Sequence, residues 1–281
     1  MSLLVQDIVK MGERQLSEAG IFDAKIEAEI LYCFLKKIDR SKFFLRWARP
    51  VDERETDQYF SLISTRASRI PLQHIMGEVE FMGLPFKVAQ NVLIPRMDTE
   101  VVVLEAEKMI KPKASVLDLC SGSGIIGISL AKRNQIKLTS SDFSDDAVKL
   151  TRENMELNGV KADVVQGDLF EPVKRKKFNM IVSNPPYIRS DVIPTLEIEV
   201  RDHDPILALD GGEDGLEFYK RIISGAKEHL KKGGALVFEI GNDQGEAVAD
   251  LMEAEGVFTD IEVIKDLADQ NRVIKCRLGG K

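Results

Sequence analysis

Residues 116–131 read VLDLCSGSGIIGISLA. The stretch opens on the short apolar run 116–119, passes through five small residues, and continues with apolar residues at helical spacing. That is a buried strand, a tight turn and a helix. Gly122, Gly124 and Gly127 satisfy the spacing G-x-G-x-x-G. Glycines so placed let the backbone approach a ligand at the N-terminus of the helix. From here to the C-terminus the pattern repeats. Strands are expected at 116–119, 137–142, 163–166, 179–183, 235–240, 261–264 and 272–278, and helices near 124–132, 145–157, 216–230 and 244–255. This alternation predicts an α/β fold, a doubly wound, seven-stranded, mostly parallel sheet with helices on both faces. The last two strands are joined only by a short polar link at 266–270, so the final one is expected to enter antiparallel.

Ligands of such sheets bind at the C-terminal edge of the strands. Asp142 ends the second strand, where a carboxylate can bind both hydroxyls of a ribose. Ser144 is expected to cap the next helix and so to force the turn at the acid. Asp168, in VQGDLFEP, ends the third strand. It can accept a hydrogen bond from an adenine amino group, and Leu169 and Phe170 can pack on the ring. On these features NAD and S-adenosylmethionine both remain open.

The fourth strand ends in IVSNPPYI, residues 181–188. Two prolines stop the strand abruptly and leave backbone carbonyls without ladder partners. Beside an electrophilic methyl group on a sulfonium, the second reactant is a weak nucleophile that needs positioning. A planar –NH₂ fits. The Asn184 side-chain oxygen can accept one N–H, the Pro185 carbonyl can accept the other, and Tyr187 can stack on the plane. Holding both N–H groups directs the nitrogen lone pair at the methyl group, which is catalysis by orientation without a metal or a covalent intermediate.

The chain has 281 residues, 44% of them hydrophobic and 30% charged, with a net charge of −7. That is a globular composition with no basic field of the kind a duplex nucleic-acid binder shows. No apolar run approaches the length of a membrane span, no signal peptide is expected, and Cys33, Cys120 and Cys276 form no pair or zinc spacing. A reduced cytoplasmic setting and a monomer are the expectations. Residues 1–75 read as a helical bundle, with faces Leu4, Ile8, Met11, then Ala24, Ala28, Leu31, Leu35, then Phe60, Ile63, Ala67, Ile70. EVEFMGLPFKV, at 78–88, reads as a β-hairpin linking the two regions, and a helix with face Val101, Leu104 and Met109 follows it. Lys36, Lys37, Arg40, Lys42, Arg46 and Arg49 form a basic cluster, either a solvated face or a docking surface for an acidic or RNA-containing partner.

Asn-Pro-Pro-Tyr downstream of a glycine turn resembles the amino-group methyltransferases of the class I, Rossmann-like, S-adenosylmethionine-dependent fold. The flanks PLQHIMGEVEFMGLPFKVAQNVLIPRMDTE at 71–100 and DPILALDGGEDGLEFYKRI at 204–222 resemble, within that class, the release factor glutamine N5-methyltransferases. The resemblance covers essentially the whole chain. It implies a helical substrate-docking domain at 1–75, a hairpin linker at 76–95 and a methyltransferase domain at 96–281. It implies S-adenosylmethionine as cofactor, with S-adenosylhomocysteine as product and no metal. It implies as substrate the glutamine of the Gly-Gly-Gln motif in class 1 peptide chain release factors. Carried onto this chain, Cys120, Ser121, Gly122, Ser123 and Gly124 contact the methionine part of the cofactor, Asp142 the ribose, and Asp168 and Leu169 the adenine. Asn184, Pro185, Pro186 and Tyr187 hold the glutamine amide, with Asn184 also at the cofactor, and Arg96 and Glu100 line the site. Cys120 stands where the family often has glycine, Met97 where it often has proline, and DHDP at 202–205 replaces its usual Glu with Pro. A DNA or RNA N6-adenine methyltransferase shares the chemistry at Asn184 but predicts a basic groove, whereas the segment from 76 onward carries more acidic than basic residues. An NAD oxidoreductase leaves Asn-Pro-Pro-Tyr unexplained, and His74, His203 and His229 sit in no motif that demands them. A non-catalytic cofactor-binding protein predicts a damaged 184–187 group, and here it is intact.

Overall fold

The computed structural model describes residues 3–279. The chain divides into two compact units, one ending at Gly77 and the other beginning at Glu78. The first unit is helical: α1 (Val5–Glu18), α2 (Ala24–Lys36), α3 (Arg40–Leu45), α4 (Glu53–Ala67) and α5 (Leu72–Met76). Asp39 and Asp52 cap α3 and α4 by accepting the backbone N–H of Lys42 and Glu55 at 2.8 and 2.7 Å. Val5, Ile8, Leu16, Leu31, Tyr32, Phe43, Tyr59 and Ile63 form the core. Ala24, Ala28 and Leu31 face inward as expected, but Met11 is half exposed, because the buried face of α1 runs through Val5, Ile8, Val9, Gly12 and Leu16. Four residues of the basic cluster are paired with carboxylates. Lys36 and Arg49 reach Glu55 at 2.9 and 3.6 Å, Arg40 reaches Glu29 at 2.8 Å, and Lys42 reaches Asp39 at 3.2 Å.

The second unit begins with the hairpin β1 (Glu78–Phe81) and β2 (Leu84–Lys87). The hairpin does not stand apart as a linker. Phe81 and Phe86 are buried with Val102, Val103 and Ala106 of α6 (Glu100–Glu107). Leu104, expected on the inner face of α6, is exposed instead, since the helix turns Val102, Val103 and Ala106 inward. Two side chains of α8 (Asp145–Leu157) and its C-terminal turn tie the hairpin down. Asn154 Oδ1 accepts the Lys87 N–H at 2.7 Å, and Asn158 Nδ2 donates to the Pro85 carbonyl at 2.8 Å.

The main sheet comprises β3 (Ser115–Leu119), β4 (Lys137–Asp142), β5 (Asp163–Gln166), β6 (Phe178–Ser183), β7 (Leu230–Glu239), β8 (Phe258–Lys265) and β9 (Asn271–Leu278), in the order β5-β4-β3-β6-β7-β9-β8. The first five in that order are parallel, and β9 enters antiparallel between β7 and β8, as the short 266–270 link requires. Side chains alternate between two cores. Leu117, Leu119, Ile181, Leu236 and Phe238 pack with α11 (Glu217–His229) and α12 (Gly245–Ala254). Val116, Met180, Val182, Ala235 and Val237 pack with α6 and α7 (Ile125–Arg133). Burial on both faces explains why these strands read as unbroken apolar runs. From β3 the chain winds outward through β4 and β5, then returns to place β6 on the other side of β3. The crevice between β3 and β6 is therefore the topological switch point, where ligands of doubly wound sheets bind. Two short helices that the periodicity does not reveal, α9 (Ile198–Arg201) and α10 (Ile206–Leu209), lie between β6 and α11.

Candidate active site

A cavity of about 350 Å³ opens at this switch point. Cys120, Ser121, Gly122, Ser123, Asp142, Asp168, Leu169, Asn184, Pro186 and Arg96 all line it, so ten of the positions named from sequence converge on one wall. The glycine turn is held from two sides. Asp142 Oδ2 accepts the Gly122 N–H at 2.8 Å, while Oδ1 accepts the Ser144 N–H at 2.9 Å. From α8, Thr151 donates to the Gly122 carbonyl at 2.8 Å and Asn154 to the Ser123 carbonyl at 2.9 Å. Ser144 caps α8 by accepting the Ala147 N–H at 3.4 Å. Gly124 has φ +82°, and a Cβ there would stand 2.9 Å from Ile128 Cδ1. It shapes the turn rather than the wall. Cys120, at φ +55°, occupies the left-handed region that favours glycine.

The electrostatics follow burial. Burial raises the Asp142 carboxyl, opposed by the backbone N–H groups it accepts. Asp118, fully buried under the turn, is pushed up to about 7 by burial although Oδ2 accepts the Gly127 N–H at 3.0 Å, and its Oδ1 has no partner among the described residues. Burial, then the nearby acid Asp142, raises the Cys120 thiol, which stays protonated and therefore weakly nucleophilic. Asp168 pairs with Arg221, and both line the cavity. Arg96 pairs with Asp204, which is 4% exposed and also accepts from the Ile94 N–H. The second Asp of DHDP, Asp204, thus serves as partner to Arg96, while the first, Asp202, pairs with Arg201.

The 184–187 turn rests on the segment that follows it. Ile188 donates to the Leu209 carbonyl at 2.9 Å and accepts the Gly211 N–H at 2.8 Å, and Gln244 Nε2 donates to the Tyr187 carbonyl at 2.9 Å. Gly215 has φ +71°, and a Cβ there would stand 2.6 Å from the Tyr187 carbonyl oxygen. This close approach is the physical content of the DGGEDG sequence. Among the described residues no hydrogen bond reaches the Pro185 carbonyl.

Several named residues lie elsewhere. Glu100 is turned to the hairpin, where Oε1 accepts the Met82 N–H at 2.9 Å, and it does not line the cavity. Phe170 stacks on His229, with ring centroids 4.3 Å apart, rather than facing the cavity. Pro185 and Tyr187 are not in the wall, and Tyr187 packs against the core of the β7 face. In turn the structure adds wall residues that the pattern did not single out: Val92, Ile94, Phe143, Phe218, Arg221 and Thr99. Phe143 had a readable signal, an aromatic directly after the strand-ending acid. Glu239 had another, a charge closing the apolar strand ALVFEIG. Among the described residues no group of His, Cys, Asp and Glu could hold a metal ion, and no helix is long and apolar enough to cross a membrane.

Comparison with known proteins agrees with this geometry. The family model described as Methyltransferase small domain matches residues 92–198, and the PrmC N-terminal domain matches residues 7–77. A methyltransferase crystal structure from Pyrococcus furiosus superimposes on 71% of the chain and 91% of its own, with TM-score 0.56 at 17% identity, which speaks for the fold. Sheet order, crevice and site together define an S-adenosylmethionine-dependent methyltransferase of class I. The release factor glutamine methyltransferase of Clostridium acetobutylicum is 42% identical over 90% of this chain and 91% of its own. That of Geobacter sulfurreducens is 39% identical over 98% and 97%. The chain belongs to the release factor glutamine methyltransferase family.

Proposed function

We propose that this chain transfers the methyl group of S-adenosylmethionine to the side-chain nitrogen of the glutamine in the Gly-Gly-Gln motif of class 1 release factors. The S–CH₃ bond breaks as the N–CH₃ bond forms and the amide nitrogen gives up one proton to solvent, so the products are N5-methylglutamine, S-adenosylhomocysteine and a proton. The observation that carries the reading is Asn184, in the cavity wall at the end of β6 and followed by Pro185, whose carbonyl has no hydrogen-bond partner among the described residues.

The residues present suit the cofactor. Asp142 accepts backbone N–H groups from Gly122 and Ser144, and a carboxylate has acceptor sites beyond these for a ribose hydroxyl. Ser141 Oγ, buried in the wall, has no partner among the described residues. Ser121 to Ser123 offer backbone groups to the methionine part, Asp168 and Leu169 flank the adenine, and Phe143 adds an apolar surface beside Asp142. The cofactor supplies an electrophilic methyl group. The protein supplies orientation: Asn184 Oδ1 and the Pro185 carbonyl accept the two amide hydrogens of the substrate. The amide nitrogen lone pair, normally delocalised, is then aimed at the methyl carbon, and the two acceptors stabilise positive charge as it develops on nitrogen. Arg96, fixed by Asp204, borders the entrance for the substrate loop. Residues 7–77 contribute the surface that docks the release factor.

The test offers labelled S-adenosylmethionine with a release factor and duplex DNA together. Label on the release-factor glutamine supports the reading. Label on DNA, or on another release-factor residue, overturns it.

A further inference from the structure

Glu239 ends β7, is 2% exposed and does not line the cavity. Its carboxyl group accepts the Thr99 hydroxyl at 2.6 Å, and the register of β6 on β7, with Ser183 opposite Phe238, sets it beside Asn184, whose side-chain amide acts on it and favours its ionised form. Its backbone carbonyl is fixed by the Tyr219 hydroxyl at 2.9 Å. An ionised carboxylate only accepts hydrogen bonds, so the one end of an amide it takes is the –NH₂. Nδ2 of Asn184 then faces Glu239, and Oδ1 is left for the cavity. The opposite orientation would set two N–H donors against the –NH₂ of a substrate amide. Which way an Asn amide points is decided by its hydrogen-bond network, and here a buried acid supplies that decision.

We propose that Glu239 is the positioning residue that fixes the Asn184 side chain with its oxygen toward the methyl-transfer site. This rests on Asn184 acting as an acceptor for the substrate amide. Thr99, 1% exposed, holds the carboxyl group from the segment that leads into α6. Arg272 on β9 and Asp98 act on it electrostatically, and Tyr187 and Tyr219 complete the titratable surroundings. Burial pushes the Glu239 carboxyl up to about 7, opposed by Thr99, Arg272 and Asn184 and reinforced by Asp98. Once protonated, the group can also donate, and either end of the Asn184 amide is then accepted. Control of the orientation therefore weakens as pH falls through about 7.

Glu239→Gln is nearly isosteric and, like the protonated acid, accepts either end of the amide. Methyl transfer to the release factor should lose at least about tenfold in kcat at pH 8, with cofactor Kd and release-factor KM within about threefold of the parent. The rise of kcat between pH 6 and pH 8 should disappear in the variant. The double variant Glu239→Gln/Asn184→Ala should be no more than about twofold slower than Asn184→Ala alone, because Glu239 acts through Asn184. A kcat within about twofold of the parent, additive losses in the double variant, or an equal loss in cofactor affinity overturns the proposal. Should Glu239→Gln not fold, Thr99→Val is expected to lower kcat several-fold while Thr99→Ser stays near the parent, and equal losses in the two would count against it. Near-parental turnover by Asn184→Ala would remove the acceptor role and the proposal with it. A dead Asn184→Ala beside an active Glu239→Gln would overturn the positioning alone.

Discussion

One buried acid of the helical unit and two of the methyltransferase unit respond to burial in opposite ways. In the helical unit Glu55 is 5% exposed, and burial pushes its carboxyl up. The Tyr32 hydroxyl at 2.6 Å, with Lys36 and Arg49, outweighs burial and holds it below the ordinary range. In the methyltransferase unit the buried acids Asp118 and Glu239 have no contacting cation among the described residues, and burial carries both up to about 7. Glu55 serves the fold. Asp118 and Glu239 stand behind the cofactor turn and behind Asn184, where a group with raised proton affinity can bear on chemistry. The difference separates acids that hold the structure from acids that serve the site.

That contrast can be broken or sharpened at five positions. Asn184→Ala should cut turnover by at least about 100-fold while leaving cofactor affinity near the parent's, since orientation is lost but the pocket is not. Calorimetry beside a methyl-transfer assay reads both. Asp142→Ala removes the acceptor of two backbone N–H groups and, on the proposed function, of the ribose, and should weaken cofactor binding by at least about tenfold, or 1.4 kcal/mol. Glu55→Gln should cost about 1–3 kcal/mol of stability in denaturant titration and leave cofactor affinity unchanged.

The fourth test concerns pH. Asp118 has a folded pKa raised from 3.8 to about 7, so its contribution favours folding in acid and is lost as pH rises through about 7. Asp118→Asn should flatten the fall of Tm between pH 5 and pH 8 by a few degrees. Glu55, with its folded pKa depressed, behaves in the opposite sense, losing its contribution as pH falls below the ordinary carboxylate range. The smallest effect is expected of Cys120→Gly, whose cofactor affinity should stay within about threefold. A loss above about tenfold would give the thiol a role that its buried, protonated state does not suggest.

Much of the site was legible because its parts are local. The turn 120–124, Asp142, Asp168 and Asn184 each end a strand, and parallel strands bring their C-terminal ends to one edge. Side-chain direction was not legible. Glu100 and Phe170 sit next to wall residues in sequence, yet one reaches the hairpin and the other stacks on His229. Met11 and Leu104 fit a helical period, but a period fits more than one face when apolar residues flank it. The group behind Asn184 lay furthest from view, because Thr99 and Glu239 meet only in the tertiary fold, 140 positions apart in sequence.

The central claim is that the 184–187 turn presents a planar amide to the methyl donor. Mass spectrometry of a release factor after incubation with the protein and S-adenosylmethionine tests it most directly, with a second release factor carrying Glu in place of the Gly-Gly-Gln glutamine as control. The account predicts one added methyl group on that glutamine side chain and none on the control. An added methyl group on the control, or on any other residue, would contradict it.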